Sequence, residues 1–258
     1  MRIVRDEKLL KRRVDDYLWR DHSKTVQALR LALNEHFSDF DKVSIFGGMI
    51  RDLARGGKAG FQSDVDLVID APTHEVDMLA ERMCAKPNSF GGYGFSTERW
   101  KIDFWALETT WSLREGHVSA TSIDELLQGT FFDWDAVHYD IKKRRLHAQE
   151  GYLEKLNSRI LGVNVVATPS AVGNAVRAVR RIISWDLRAS TTLLTFIEDV
   201  VRSNGLEPLV AYEKSKYATS VCSGFISPET LINAVATVNE GPVLTSSSPR
   251  QLELPGVL

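Results

Sequence analysis

The chain has 258 residues with 43% hydrophobic side chains, enough to bury a sizeable core in one large or two modest domains. Its 32 lysines and arginines against 34 aspartates and glutamates give a formal net charge of −2, which excludes a general polyanion binder and leaves only local basic surfaces. Two cysteines, Cys84 and Cys222, exclude a disulfide framework, and the charged N-terminus MRIVRDEKLLKRRVDDYLWR has no apolar leader, so a reducing, cytoplasmic setting without membrane attachment is expected.

Helical periodicity opens the chain, with Val26, Leu29, Leu31, Leu33 and Phe37 behind a cap at Asp21 or Ser23. Val43 to Phe46 reads as a short apolar strand that ends in the Gly47-Gly48 turn. A helix follows from Met49 to about Ala54, and its uncovered first-turn N–H groups suit a phosphate. After a glycine loop at 56 to 60 comes a strand bearing Asp64 and Asp66. Residues two apart on a strand share a face, so these carboxylates project side by side while Val65, Leu67 and Ile69 face a core. Neighbouring carboxylates repel unless a cation lies between them. Donor amides beside a carboxylate pair suggest a site for a nucleoside triphosphate with Mg²⁺. Asp70 shares the face but abuts Ala71-Pro72 and reads as a strand-end cap rather than a ligand.

Gly47-Gly48-x-x-Arg51-Asp52 followed by Asp64-x-Asp66 resembles the GG-x-x-RD and D-x-D signature of a nucleotidyltransferase head domain. That head is shared by class II CCA-adding tRNA nucleotidyltransferases and bacterial poly(A) polymerases of the polymerase-beta-like superfamily. The resemblance implies metal-dependent nucleotidyl transfer. Arg51 and Asp52 would accompany the nucleotide, or form an ordinary helix-surface pair.

Further along, His74 to Lys86 reads as a helix with Val76, Leu79 and Met83 inward, and Pro87 to Phe95 as a turn-rich connection. Arg99 to Leu107 alternates and is rich in aromatic and β-branched residues, as a strand should be. It carries Asp103, the candidate for the third carboxylate that two-metal transfer needs, with Lys101 and Trp105 on the same face. Trp105 and Trp134 are either base-stacking or core residues. Basic runs at 8 to 13 (KLLKRR) and 141 to 146 (IKKRRL) are either RNA contacts or solvated faces.

Phe132 to Asp140 is similar to the family's RRD-F-T-I-N-A-x-x-Y-D segment at Phe132, Ala136, Tyr139 and Asp140. Gly129-Thr130-Phe131 replaces its Arg-Arg-Asp, and Asp135 its Asn, leaving Asp135 either a ribose or metal-cluster contact or a structural residue. The segment from Gly151 to Leu161 resembles the passage from head to neck. A helix from Ser170 to Leu187 resembles the arginine-bearing neck helix, with Arg177 and Arg180 either triphosphate or RNA contacts or part of a salt-bridged surface. The E-D-x-x-R triad that serves that family as a nucleotide template falls on Ser170-Ala171-Val172-Gly173-Asn174, so C-then-A addition is not the leading expectation. Helices follow at 191 to 202, about 207 to 217 and 228 to 238, and a flexible tail begins at Thr245.

The expectation is an α/β head, with a small, mostly antiparallel mixed sheet flanked by helices, over 1–150, a helical neck-like region over 151–244 and a tail over 245–258. Asp64, Asp66 and Asp103 would be the catalytic and metal-ligating residues, for two Mg²⁺ ions, with Mn²⁺ as a substitute. Gly47 and Gly48, with Arg51, would steady the phosphates of an NTP. The acceptor expected is an RNA 3′ end, tRNA above all. Alternatives are a toxin- or defence-type transferase acting on tRNA or a protein hydroxyl, and a catalytically silent nucleotide- or RNA-binding protein.

Overall fold

The computed structural model of the chain describes residues 3–61 and 64–240. Helix α1 (Glu7–Asp15) begins at Asp6, whose carboxylate accepts the Leu9 N–H, and runs into a π-helical turn at Asp16–Arg20. Ser23 caps α2 (Lys24–Phe37) by accepting the Val26 N–H. Val26, Leu29, Leu33 and Phe37 form its buried stripe. Leu31, expected in that stripe, is 68% exposed, because two positions beyond Leu29 is a turn of about 200°.

The head then alternates strands with short helices: β1 (Val43–Phe46), α3 (Gly48–Gly56), a 3₁₀ turn at Gly57–Gly60, β2 (Val65–Ile69) and α4 (Thr73–Arg82). Helix α4 stops short of Lys86, since Cys84 takes a left-handed conformation at φ 52°. The connection after it is a hairpin, β3 (Lys86–Pro87) with β4 (Tyr93–Ser96), which leads into β5 (Lys101–Ala106). Two single-turn helices, α5 (Trp111–Arg114) and α6 (Ile123–Leu126), precede the hairpin of β6 (Val137–Asp140) and β7 (Arg145–Ala148).

These strands form one sheet in the order β3-β4-β5-β2-β1-β6-β7, with β2 and β5 parallel and the other neighbours antiparallel. The fold is thus a mixed α/β head with a mostly antiparallel sheet. One face is apolar: Val43, Ile45, Val65, Leu67, Ile69, Ile102, Phe104, Val137 and Tyr139 are fully buried. Phe37 of α2 meets Phe104 edge-on at 5.5 Å, closing the core on that side.

The rest is helical: α7 (Tyr152–Ser158), α8 (Ala171–Trp185), α9 (Thr191–Asn204), α10 (Glu207–Lys216) and α11 (Pro228–Glu240), with a small parallel pair of β8 (Ile160–Leu161) and β9 (Arg188–Ala189). A continuous hydrophobic cluster runs from Val4 through the sheet to Val235 of α11. Glu213, fully buried on α10, takes the Arg180 guanidinium at 2.5 Å and the Val221 and Cys222 N–H groups at 2.9 Å, which fastens α10 to α8. Residues from Thr245 onward, read as a tail, lie outside the described residues.

Candidate active site

Strand register assembles the site. Gly94, Asp103, Asp66, Phe46, His138 and His147 are successive register partners across β4, β5, β2, β1, β6 and β7. Direct partners put their side chains on the same face, so the row crosses the sheet on the side opposite the apolar core. Asp66 and Asp103 stand next to each other in it, and Asp64 and Lys101 lie two residues before them. The Lys101 ammonium donates to Asp64 at 3.0 Å and to Asp103 at 2.8 Å. Burial opposes the charge of Lys101, but hydrogen bonds to the two carboxylates outweigh it and hold its pKa above the usual lysine value.

Burial, and then repulsion from Asp103 and Asp64, pushes the Asp66 carboxyl up to about 7. Such crowding is what a divalent cation relieves. An all-oxygen donor set of this kind fits a hard ion such as Mg²⁺ or Mn²⁺. Gly94 makes the arrangement possible, since a Cβ there would overlap Asp103 Oδ1. Trp105 lies on the same face, partly buried, against Gly92.

Strand β1 delivers the glycine pair to the edge of this row. Gly47 caps α3 at φ 63° and ψ −108°, a conformation open only to glycine, and donates its N–H to Val137 O at 2.8 Å. The first-turn amides of α3 have no acceptor within the helix. Met49, Ile50 and Leu53 anchor the helix in the core.

Arg51 and Asp52, expected beside the nucleotide, both point into the protein. The Arg51 guanidinium binds Asp52 at 2.9 Å and also Asp135, while Asp135 takes Arg181 of α8 at 3.0 Å. Burial opposes the charge on Asp135, but Arg181 and Arg51 outweigh it and lower its pKa; burial and the neighbouring Arg51 bring Arg181 down to about 10. Trp185 completes the group, with the Arg55 guanidinium 4.0 Å and that of Arg51 5.4 Å from its ring centroid. Asp135 is therefore a hub joining α3, its own 3₁₀ turn and α8.

Arg177 lies close enough to favour the ionised form of Asp66 and donates to Asn174 at 3.1 Å. Arg180 does not join it, being held by Glu213 and by the Thr219 carbonyl at 2.6 Å. Trp134 is fully buried and donates to the Ile160 carbonyl at 2.8 Å, a core residue. Asp70 pairs with Lys42 at 2.7 Å, away from the carboxylate row. The basic runs are largely engaged within the fold: Lys11 pairs with Asp15, Arg13 donates to the Leu53 and Ala54 carbonyls, and Arg144 lies over Trp19.

Sequence reasoning missed Lys101 as a carboxylate bridge, Arg181, Trp185 and the space-making Gly94. Of these, Lys101 carried a signal in the alternation that puts it on the Asp103 face, and Arg181 as the cationic neighbour of Arg177 and Arg180 on one helix.

No protein-family model and no curated protein sequence matches the chain. Among solved structures, the Thermotoga maritima CCA-adding enzyme complexed with tRNA_CCA aligns with a TM-score of 0.57 and 20% identity, covering 93% of this chain and 55% of that one. Structures of a CCA-adding enzyme with CTP and with ATP align at TM-scores of 0.55 and 0.53, with 20% and 21% identity, covering 93% of this chain and 56% and 55% of theirs. At this identity the likeness is one of fold. The chain spans about half the length of these structures. No helix among the described residues is long and apolar enough to cross a membrane.

Proposed function

We propose that the chain is a metal-dependent nucleotidyltransferase that moves a nucleoside monophosphate from an NTP to an acceptor hydroxyl, with an RNA 3′ end of tRNA type as the acceptor. The observation that carries this reading is the pairing of Asp66 with Asp103 on parallel strands, with Asp64 beside them and the Gly47-Gly48 turn on the neighbouring strand. The shared fold with proteins whose structures are complexes with tRNA, ATP or CTP supports the substrate classes.

In this reading Asp64, Asp66 and Asp103 hold the metal. Bound there, Mg²⁺ supplies positive charge to the α-phosphate and the departing pyrophosphate. Asp103 orients the acceptor hydroxyl and takes up its proton as the oxygen becomes the nucleophile. The oxygen attacks the α-phosphorus as the bond to pyrophosphate breaks. The Gly47 N–H is held by the Val137 carbonyl, so Gly47 serves by its turn conformation, and the first-turn amides from Gly48 onward donate to the β- and γ-phosphates, while Arg177 supplies a cation beside Asp66. Arg51, Asp52, Asp135 and Arg181 act as positioning residues, bracing α3 against α8 so that its N-terminus keeps its place. We assign residues 1–150 to the transferase head and 151–244 to its neck. At the template position Ser170 caps α8 and Asn174 donates to Thr168 at 2.7 Å, so nucleotide choice rests on other contacts.

Lys101 favours a second reading. Its ammonium already bridges two of the three carboxylates, which suits a nucleotide- or RNA-binding protein on a retired catalytic frame. Purified protein and its Asp64→Ala variant, incubated with each α-labelled NTP, Mg²⁺ and total cellular RNA, separate the two. Asp64-dependent label on RNA is expected, with turnover reduced by about 10³-fold or more in the variant. Binding of an NTP or RNA with no label on RNA or protein and no pyrophosphate released would establish the second reading.

A further inference from the structure

The row that holds the aspartates ends, two and three strands beyond Asp66, in a different chemistry. We propose that Asp124, His138 and His147 form a binding site for a transition-metal ion of the Zn²⁺ class, separate from the carboxylate site.

Three elements build it. His138 of β6 and His147 of β7 are register partners, so strand pairing sets the two rings face to face, with centroids 4.8 Å apart and planes within 1°. Asp124 reaches over from α6, where Ser122 caps the helix by accepting the Glu125 N–H. One Asp124 oxygen, Oδ1, lies 2.6 Å from His138 Nε2 and 3.1 Å from His147 Nδ1. The three donor atoms lie within 4.8 Å of one another.

The inner ligand is held from behind. His138 is buried, its Nδ1 is 3.0 Å from Ser44 Oγ of β1, and the Phe46 ring stacks on it with the planes 3° apart. A partner on the far ring nitrogen fixes the orientation of a metal-binding imidazole, with Nε2 turned toward the cluster. Ligands of a tetrahedral centre with bonds near 2.0 Å stand about 3.3 Å apart. His147 and Asp124, at 35% and 57% side-chain exposure, have the freedom to close to that spacing around the fixed His138.

Two imidazoles and one carboxylate leave a fourth position for water and favour Zn²⁺ or Co²⁺ over Mg²⁺, whereas the Asp64, Asp66 and Asp103 oxygens suit Mg²⁺ and are filled by it when it is in large excess. The site also has a mechanical meaning. It would pin α6 to the sheet, and Ile123 and Leu126 of α6 cover Val68 and Phe46, the residue before the Gly47 turn.

The test uses the full chain, stripped with chelator and kept in excess Mg²⁺ to hold the all-oxygen site. Titration with Co²⁺ is expected to produce the intense visible absorption of a low-coordinate centre at one equivalent, removed by Zn²⁺. His147→Ala and Asp124→Ala should each lose it, and His147→Cys should regain it with an added thiolate charge-transfer band. Without any variant, one equivalent of Zn²⁺ should shift the imidazole nitrogen resonances of His138 and His147 and leave the other four histidines in place. No intense absorption, unmoved His138 and His147 resonances, or equal Co²⁺ binding by wild type and both alanine variants would overturn the proposal and leave the cluster a hydrogen-bonded latch.

Discussion

In metal-free protein Asp66 keeps a proton to near neutral pH, because its carboxyl is pushed up to about 7 by burial first and by the neighbouring carboxylates second, against the pull of Arg177 and Lys101. The unfolded chain releases that proton near pH 4. The folded state therefore binds more protons between these values, and the group's contribution to stability falls as pH rises from about 4 to about 7. Asp66→Asn removes the titration. In metal-free buffer its stability relative to wild type should climb through that window, and a difference that stays constant in urea unfolding from pH 4 to 8 would refute the assignment. Gly94 belongs to the same site by negative space. Gly94→Ala should fold normally, since a strand accepts alanine, yet lose roughly 10²-fold in the rate of the proposed transfer as Asp103 is displaced by about 1 Å; an unchanged single-turnover rate would count against Asp103 as the third carboxylate. The aspartates were legible in the sequence because alternation alone puts Asp64 with Asp66. Gly94 was not, because its meaning lies in a register partner nine positions away, reached through a hairpin too short and too glycine-rich to read as strands.

At the scale of elements, α3 is held at both ends by different physics. Its N-terminus depends on Gly47 adopting a positive φ, and its body on the buried pairing of Arg51 with Asp52 and Asp135. Arg51→Met leaves two carboxylates facing a buried space with one of their cations gone. The expected cost is about 3–5 kcal/mol, the range for breaking a buried ion pair from one side. Equilibrium unfolding would measure it, and a loss under 1 kcal/mol would show that Arg181 and solvent carry the cluster without Arg51. The GG-x-x-RD spacing made the strand, turn and helix legible. It could not reveal the direction of Arg51, because Asp135 and Arg181 are 84 and 130 positions further along and only the packing of α8 against the head brings them in. The end of α4 was misplaced for a local reason: apolar residues continue in helical spacing to Met83, but the chain turns left-handed at Cys84.

Across the whole molecule, head and helical region share contacts of the kind that couple folding rather than those of docked modules. Trp134, with no exposed surface, donates to the Ile160 carbonyl; Asp133 and Gly162 exchange N–H donors at 2.9 and 3.2 Å; the Arg181 guanidinium lies 4.3 Å from the Phe132 ring centroid; and Asn157 donates to the Val4 carbonyl at 2.9 Å. The mixed sheet and the helical second half were legible from periodicity, but this interlock was not, since it rests on backbone groups of residues 160 to 162 that no side-chain pattern marks. The division we assign near residue 150 is then a proposed one of role, and the two parts should unfold together. A chain ending at residue 150 would bare Trp134, Phe132 and the Asp133 carboxylate at once. It should show no cooperative thermal transition and no near-ultraviolet tryptophan signal, whereas the full chain should show one transition by both near- and far-ultraviolet dichroism. A sharp transition in the 1–150 chain, or two separate transitions in the full chain, would mean that the head folds alone and that the contacts around Asp133 and Trp134 join two finished domains.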